Sequence, residues 1–328
     1  MDADEARMRR AVELAASVRS RTSPNPWVGC VIVAADGAVF EGATEPPGGP
    51  HAEVVALRQA GAAARSSTLY TTLEPCSHTG RTPPCVDAVI AAGVARVVVA
   101  VEDPDPQVQG AGVERLRAAG IAVDVGAGAA AVRAQLAPYF KHRQTGRPWV
   151  VLKLAASVDG RTAAPDGTSQ WITGAEARAD AHRLRAESDA VIVGAGTVRA
   201  DDPALTVRLA EGKDPLRVVL GEAPPDATVH PALELSGDLG GVLDELGRRG
   251  VVQAMVEGGA TVAGAFHRAG LVDRYVVYLA PALFGGDDGR PLFAGPGAAT
   301  IADVWRGRIA AVERLGDDVK LELEGVGH

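Results

Sequence analysis

Twice along this 328-residue chain, short apolar strands alternate with segments of helical periodicity, and a polar, basic stretch separates the two runs. This pattern limits the possible folds more than any other feature. Continuous apolar strands need cover on both faces, and the helices between them supply it. One core stops growing at roughly 250–300 residues, so the chain is expected to divide. The divide is placed near Gly146, within Tyr139–Pro148, where Lys141, His142, Arg143 and Arg147 cluster. The reading is one α/β domain over residues 1–146 and another over 147–328, with no repeat between them.

The first run reads as a helix over 5–20, a break at Ser23-Pro24-Asn25-Pro26, a strand over 28–34, a turn at Asp36-Gly37 and a short strand near Val39-Phe40. A helix over His51–Ala64, a strand over Ser67–Leu73 and a helix from Cys85 to Ala92, stopped by Gly93, follow. A strand over Val94–Val101, a helix over 112–119 and a strand over 121–125 close the run. In the second run, strands are expected at 149–155, 189–194, 216–220, 252–257 and 273–280, and helices at 175–186, 241–249 and 260–269.

Net charge is −8, against the clustered cations that nucleic-acid binding needs. A local basic pocket for one phosphate is compatible with that charge. The acidic start, Met1-Asp2-Ala3-Asp4-Glu5, does not read as a signal peptide. No apolar run approaches the roughly 20 residues of a membrane helix. A cytoplasmic protein with no membrane or nucleic-acid partner is expected. Three cysteines do not suggest a disulfide framework. Cys30, in an apolar strand, reads as a small core residue.

His51-Ala52-Glu53, Pro75-Cys76 and Cys85 carry the chemistry. One imidazole and two thiolates form a three-ligand zinc set that leaves a fourth position for water, the mark of a catalytic site. Zinc brings the pKa of its water near neutrality. His51 opens one helix and Cys85 opens another after Pro83-Pro84, so two helix dipoles favour thiolate. Glu53 lies two residues beyond His51, roughly 200° around a regular helix. In a first turn it can still lean toward the cluster and shuttle a proton to a departing amine. Zinc deaminases combine His-x-Glu with Pro-Cys-x-x-Cys. Here the cysteines are nine positions apart, so two unrelated buried cysteines are the alternative on spacing alone. A structural zinc site would need a fourth ligand, for which His78 is the local candidate.

The insert Glu74-Pro75-Cys76-Ser77-His78-Thr79-Gly80-Arg81-Thr82-Pro83-Pro84-Cys85 resembles the deaminase motif of the bifunctional riboflavin-biosynthesis deaminase/reductase family. Pro24-Asn25-Pro26-Trp27-Val28-Gly29-Cys30 and His51-Ala52-Glu53-Val54 are similar to earlier segments of that family. Lys153–Arg161, Ser169-Gln170-Trp171-Ile172-Thr173, Thr197–Thr206 and Glu257-Gly258-Gly259-Ala260 resemble its reductase half. The resemblance implies a three-layer cytidine-deaminase-like domain followed by a dihydrofolate-reductase-like α/β domain. It implies hydrolytic loss of the 2-amino group from a pyrimidinone bearing a phosphoribosylamino group, then reduction of the ribosyl group to ribityl by NADPH. A small-molecule pyrimidine ribosyl phosphate is the implied partner, and a homo-oligomer the implied state.

Carried over by motif, His51, Cys76 and Cys85 bind zinc and Glu53 is the acid/base. Asn25, His78 and Arg81 are implied substrate contacts; a solvated loop charge is the other reading of Arg81. Ala155, Trp171, Thr197, Asp201 and the segment Gly259, Ala260, Thr261, Val262, Ala263, Gly264, Ala265 match cofactor positions. Ser169, Arg185, Leu205, Arg208 and Glu257 match substrate positions, with Arg185 and Arg208 suited to a sugar phosphate. Lys153 is assigned to orienting the pyrimidine; its alternative is a strand-end surface lysine.

Three positions depart from the family pattern. Thr44 stands where many members have His, Asp105 replaces Asn in Asp103-Pro104-Asp105-Pro106, and Gly221-Glu222 replaces a Ser or Thr. Glu222 would repel an adenosine 2′-phosphate and favour NADH. Other readings are a chain that keeps one of the two activities, a zinc-stabilised regulatory module, and a nucleic-acid-editing deaminase. Glu53 argues against the regulatory module, and the charge and second domain argue against the editing enzyme.

Overall fold

The chain folds as two units, residues 1–146 and 147–328. A computed structural model describes residues 3–80, 82–105 and 108–325.

The first unit begins with α1 (Ala3–Ala16), α2 (Arg19–Thr22), β1 (Gly29–Val33), β2 (Val39–Ala43), α3 (Ala52–Ala60) and β3 (Thr68–Leu73). It continues with α4 (Cys85–Ala92), β4 (Arg96–Val101), α5 (Ala111–Ala118), β5 (Ala122–Val125), α6 (Ala129–Gln135) and α7 (Ala137–Thr145). The sheet order is β2-β1-β3-β4-β5. β1 is antiparallel to both neighbours, while β3, β4 and β5 are parallel.

Two glycines set how closely helices approach this sheet. On β1, a Cβ at Gly29 would overlap the Ala11 carbonyl of α1. Gly42 on β2 pairs with Cys30, so it faces the opposite side, and there a Cβ would overlap the Ala52 carbonyl of α3. α1 packs with α6, and α3 with α4, which in turn meets α5. The sheet therefore lies between two helical layers. Cys30 is fully buried on β1, the small core residue its strand suggested.

The second unit comprises β6 (Trp149–Ser157), β7 (Arg161–Ala163), α8 (Ala175–Ala186), β8 (Ala190–Gly194), α9 (Ala195–Asp201), β9 (Leu216–Leu220) and β10 (Leu233–Leu235). It ends with α10 (Leu239–Arg248), β11 (Gln253–Val256), α11 (Ala260–Arg268), β12 (Arg274–Ala280), β13 (Arg290–Pro291), β14 (Gly307–Leu315) and β15 (Asp318–Gly325). The main sheet runs β10-β9-β8-β11-β6-β12-β15-β14, and β7 pairs with β13. β10 through β12 in that order are parallel; β15 and β14 add an antiparallel edge. Along β6, Val150, Leu152 and Leu154 join Leu243, Leu246 and Phe266 of α10 and α11 on one face. Val151 joins Ala177 and Ala181 of α8 on the other. β11 returns between β8 and β6, so the order of connections reverses there. Such a point opens a crevice at the strands' carboxyl ends.

Several expectations needed correction. The helix over 5–20 is two helices, because the Ser17 hydroxyl bonds back to the Leu14 carbonyl and Val18 turns into the core. The helix from His51 ends at Ala60, where Gly61 takes φ 52°, and a 3-10 turn completes the stretch to Ala64. α6 falls in a stretch for which no element was expected, and α7 overlaps the polar, basic boundary; α7 has a proline in its first turn and no sustained apolar period. α9 and the β14–β15 hairpin were not anticipated. Eight of the nine residues of β14 are exposed, so it has no buried alternation to read.

The Gly42 contact yields a direct test. Gly42→Ala should lower the thermal unfolding midpoint, by roughly 1–3 kcal/mol of stability. The added methyl would meet backbone, with the Ala56 nitrogen at 2.6 Å. Thermal unfolding followed by circular dichroism reads this; an unchanged midpoint would show that α3 lifts off freely.

Candidate functional site

In the first unit the ends of three elements meet. His51 is the residue before α3, in extended conformation, and Glu53 lies in the first turn. Cys76 follows β3, and Cys85 is the first residue of α4. The His51 Nδ1 stands 3.6 Å from the Cys76 Sγ and 3.2 Å from the Cys85 Sγ. The ligating atoms of all three lie within 4.8 Å of one another. Atoms about 2.0–2.3 Å from one tetrahedral zinc stand about 3.5–3.8 Å apart, so this donor set fits the ion.

The electrostatics suit a cation. The Cys85 thiol and backbone N–H and the His51 ring hold the Cys76 thiol below its ordinary pKa, against desolvation. The same pairing, with burial, pushes Cys85 up, a conflict a divalent cation removes. Cys76 raises the His51 pKa. Glu53 is 3% exposed; burial, helped by Cys76 and opposed by His51, pushes its carboxyl up to about 7. Its side chain also interacts with Cys85. A first-turn position thus brings Glu53 to the cluster, which regular helical spacing from His51 would not.

Asn25 is half-buried in the turn after α2, its N–H donating to the Thr22 carbonyl. His78 is exposed. Arg81 and Pro106 lie outside the described residues. Thr44 is buried, and its hydroxyl oxygen accepts from the Val28 N–H at 3.2 Å. Asp105 is paired with Arg143 at 3.5 Å, so its charge is answered. Asp103 was quoted only as part of its motif, yet it is buried and accepts from the Tyr139 hydroxyl; burial pushes it up to about 6.

In the second unit, charged residues gather where β11 ends, alongside the middle of β6. Glu257 follows β11 directly, and Lys153 sits within β6. The Lys153 Nζ reaches one Glu257 oxygen at 3.2 Å, and an Arg185 nitrogen from α8 reaches the other at 2.7 Å. The Lys153 side chain is 17% exposed, which removes the strand-end surface reading. Burial alone would raise the Glu257 pKa, but Lys153 and Arg185 outweigh it and hold the carboxyl at about 2. Arg185 also donates to the Thr206 carbonyl, and Arg208 to the Thr206 hydroxyl, each at 2.7 Å. Leu205 is buried beside them with φ 53°. The sequence reading passed over His182, whose Nδ1 accepts from the Arg208 N–H at 3.1 Å. Burial, Arg185 and Arg208 lower its pKa, favouring the neutral acceptor.

Among the remaining residues, one hydrogen bond joins two segments. The Thr197 hydroxyl in α9 accepts from the Gly259 N–H at 3.1 Å, joining α9 to the start of α11. Asp201 is exposed at the end of α9, Ser169 and Ala155 are half-buried, and Trp171 is exposed beneath the Arg178 guanidinium. Ala260 opens α11, with Thr261 exposed and Val262 and Ala265 half-buried. Ala263 is packed in the core, and Gly264 lies against the Ala294 carbonyl, so their side positions face inward. Glu222 is exposed after β9, its carbonyl accepting from Arg199.

Comparison with known proteins agrees with both halves. Residues 1–101 match the family described as the cytidine and deoxycytidylate deaminase zinc-binding region, and residues 148–321 match the RibD C-terminal domain. The riboflavin biosynthesis protein RibD of Escherichia coli is 42% identical, covering 98% of this chain and 99% of the relative. Its counterpart in Mycobacterium tuberculosis is 46% identical, covering 98% and 96%. The solved structure of Acinetobacter baumannii RibD superposes with a TM-score of 0.92 at 39% identity, covering 99% of each chain. A diaminohydroxyphosphoribosylaminopyrimidine deaminase/5-amino-6-(5-phosphoribosylamino)uracil reductase from Thermotoga maritima superposes with a TM-score of 0.88 at 33% identity, covering 98% of each.

Glu257 gives a pH-dependent expectation. Its folded pKa lies below the ordinary value of 4.5, so its stabilisation is complete above that value and fades as pH falls toward about 2. Glu257→Gln should cost on the order of 3 kcal/mol at pH 7. The gap from wild type should narrow as pH drops through that window in urea titrations. A gap independent of pH would contradict the ion-pair account.

Proposed function

The chain belongs to the RibD family of bifunctional riboflavin-biosynthesis deaminase/reductases, and from that premise we propose residue roles and substrates for its two reactions. The protein carries a zinc-binding deaminase domain and a reductase domain.

The convergence of His51, Cys76 and Cys85 carries the first assignment. These three would hold zinc, which would supply Lewis acidity to the attacking water. Glu53 does the proton work. Its carboxylate takes a proton from the attacking water and delivers it to the departing amino nitrogen. Burial of Glu53 beside the cluster keeps bulk water from its carboxyl, which suits a group that must pass a proton between two partners. The substrate is 2,5-diamino-6-(5-phosphoribosylamino)pyrimidin-4(3H)-one, which leaves as the aminouracil and ammonia. Asn25, His78 and Arg81 contact this substrate.

In the second unit the aminouracil's ribosyl group is reduced to ribityl. Ala155, Trp171, Thr197, Asp201 and the turn and first residues of α11 from Gly259 would hold NADPH, which would supply the hydride. Backbone N–H groups at such a helix start suit a phosphate. Lys153 and Arg185 bring two positive charges to the single Glu257 carboxylate, and Arg208 adds a third nearby. The surplus positive charge suits the substrate's phosphate. Ser169 and Leu205 complete the substrate contacts, and Lys153 orients the pyrimidine. Glu222 is exposed after β9, where solvent screens its charge.

The protein acts in the cytoplasm as a homo-oligomer on a small molecule, without nucleic-acid or membrane partners. No helix among the described residues is long and apolar enough to cross a membrane. Self-association through the second unit is supported by β14, a sheet-edge strand with Ile309 and Val312 both exposed.

One preparation tests these roles together through zinc content, ammonia release and NADPH oxidation, with NADH run in parallel. Glu53→Gln should lower the deamination kcat by about 10²–10⁴-fold. Zinc content and reduction of added aminouracil substrate should stay at wild-type levels. Undiminished deamination would refute the role of Glu53, and faster turnover with NADH would refute the cofactor assignment.

A further inference from the structure

Two residues before Cys76 lies a carboxylate that takes no part in the chemistry above. Glu74 is 3% exposed, and its four hydrogen bonds all come from backbone N–H groups. One oxygen accepts from Asp103 at 3.1 Å and Gly110 at 2.9 Å. The other accepts from Gly112 at 2.8 Å and Val113 at 3.1 Å, in the first turn of α5. A carboxylate has about four acceptor sites, so this one is saturated without a cationic side chain.

The bonds reach both parts of the chain beyond β4: the loop from Asp103 to Gly110, and the start of α5. The backbone of Glu74 is itself fixed, its N–H donating to the Val101 carbonyl at 3.0 Å. Packing closes the same joint. A Cβ on Gly112 would overlap the Pro75 carbonyl and come within 3.0 Å of a Glu74 oxygen. Past Pro75, the Cys76 carbonyl accepts from Val86 at 3.2 Å, and its sulfur accepts from the Cys85 N–H at 3.3 Å. The hydrogen bonds thus run from the β4–α5 loop through Glu74 and Cys76 to the helix bearing Cys85.

We propose that Glu74 is a positioning residue for the metal centre: by clamping the Pro75-Cys76 segment to the β4–α5 loop and the start of α5, it fixes where the Cys76 sulfur stands relative to Cys85 and His51. The proposal rests on the zinc reading of those three residues. Removing a group that orients a ligand typically costs about 10–100-fold in metal affinity or activity. Gln in place of Glu74 keeps one acceptor oxygen and puts an NH₂ against N–H donors, so half the clamp is lost in a side chain of the same shape.

The test uses the full-length zinc-loaded enzyme and its cobalt-substituted form. Wild type, Glu74→Gln, Glu74→Ala and Met8→Ala are compared. Met8 is fully buried on α1, on the other face of the sheet, so its variant controls for lost stability. The readouts are zinc affinity by chelator competition, the sulfur-to-cobalt charge-transfer spectrum, and deaminase kcat and KM. Reductase turnover on the same samples reports on the second unit. Both Glu74 variants should bind zinc about 10–100-fold more weakly and shift the cobalt spectrum. Their deaminase kcat should fall more than KM changes, and reductase turnover should hold. Met8→Ala should keep wild-type zinc affinity and spectrum. Wild-type affinity and spectrum in Glu74→Gln would overturn the proposal, as would equal weakening in Met8→Ala. Failure of Glu74→Gln to fold would overturn it too, since Glu74 would then be a condition of the fold itself. Absence of zinc from the wild type would instead sink the reading beneath it.

Discussion

Each unit places a glutamate just past the end of a parallel strand and surrounds its carboxylate with donors. Glu74 follows β3 and takes four backbone N–H groups; Glu257 follows β11 and takes Lys153 and Arg185. A carboxylate out of water is costly unless its acceptor sites are filled. The segments that fill them are thereby held at the strand ends, where α/β sheets collect their functional groups. The two carboxylates differ in what they gather. Backbone donors make Glu74 a clamp on chain direction, while flexible cations make Glu257 the centre of a charged cluster with positive charge to spare.

The deaminase centre shows how such constraints reach a reacting group. Gly42 lets α3 lie against β2, which sets the height of His51 and Glu53 over the sheet. Glu74 fixes the segment leading to Cys76, and the bonds from α4 to Cys76 bring Cys85 in. Three chain segments distant in sequence then present one nitrogen and two sulfurs to a common point. Glu53 ends up buried beside them, and its raised pKa is a consequence of that burial.

Much of this was legible beforehand, for a physical reason. Apolar periodicity marks strands and helices buried on a defined face, so α8 and most strands of both sheets stood where the pattern put them. His-x-Glu and the two cysteines announce their chemistry by residue type. The illegible parts are those the pattern cannot mark. α7 buries only Pro138 and Tyr139 and shows no sustained apolar period, and β14 is exposed along nearly its whole length. The importance of His182 and Asp103 lies in what they touch, which no local spacing encodes.

By itself the sequence determined the two α/β units, the residue types of the His and Cys cluster and the family, because residue type and periodicity are properties of the chain alone. Tertiary structure decided the rest. It decided that the nine-residue interval between the cysteines closes to a few ångströms, that Lys153 is a largely buried, ion-paired lysine rather than a surface one, and that Asp105 has an arginine to answer it. It also decided that Glu74 is a clamp. These depend on burial and on partners far along the chain, and only folding brings those partners within hydrogen-bonding distance.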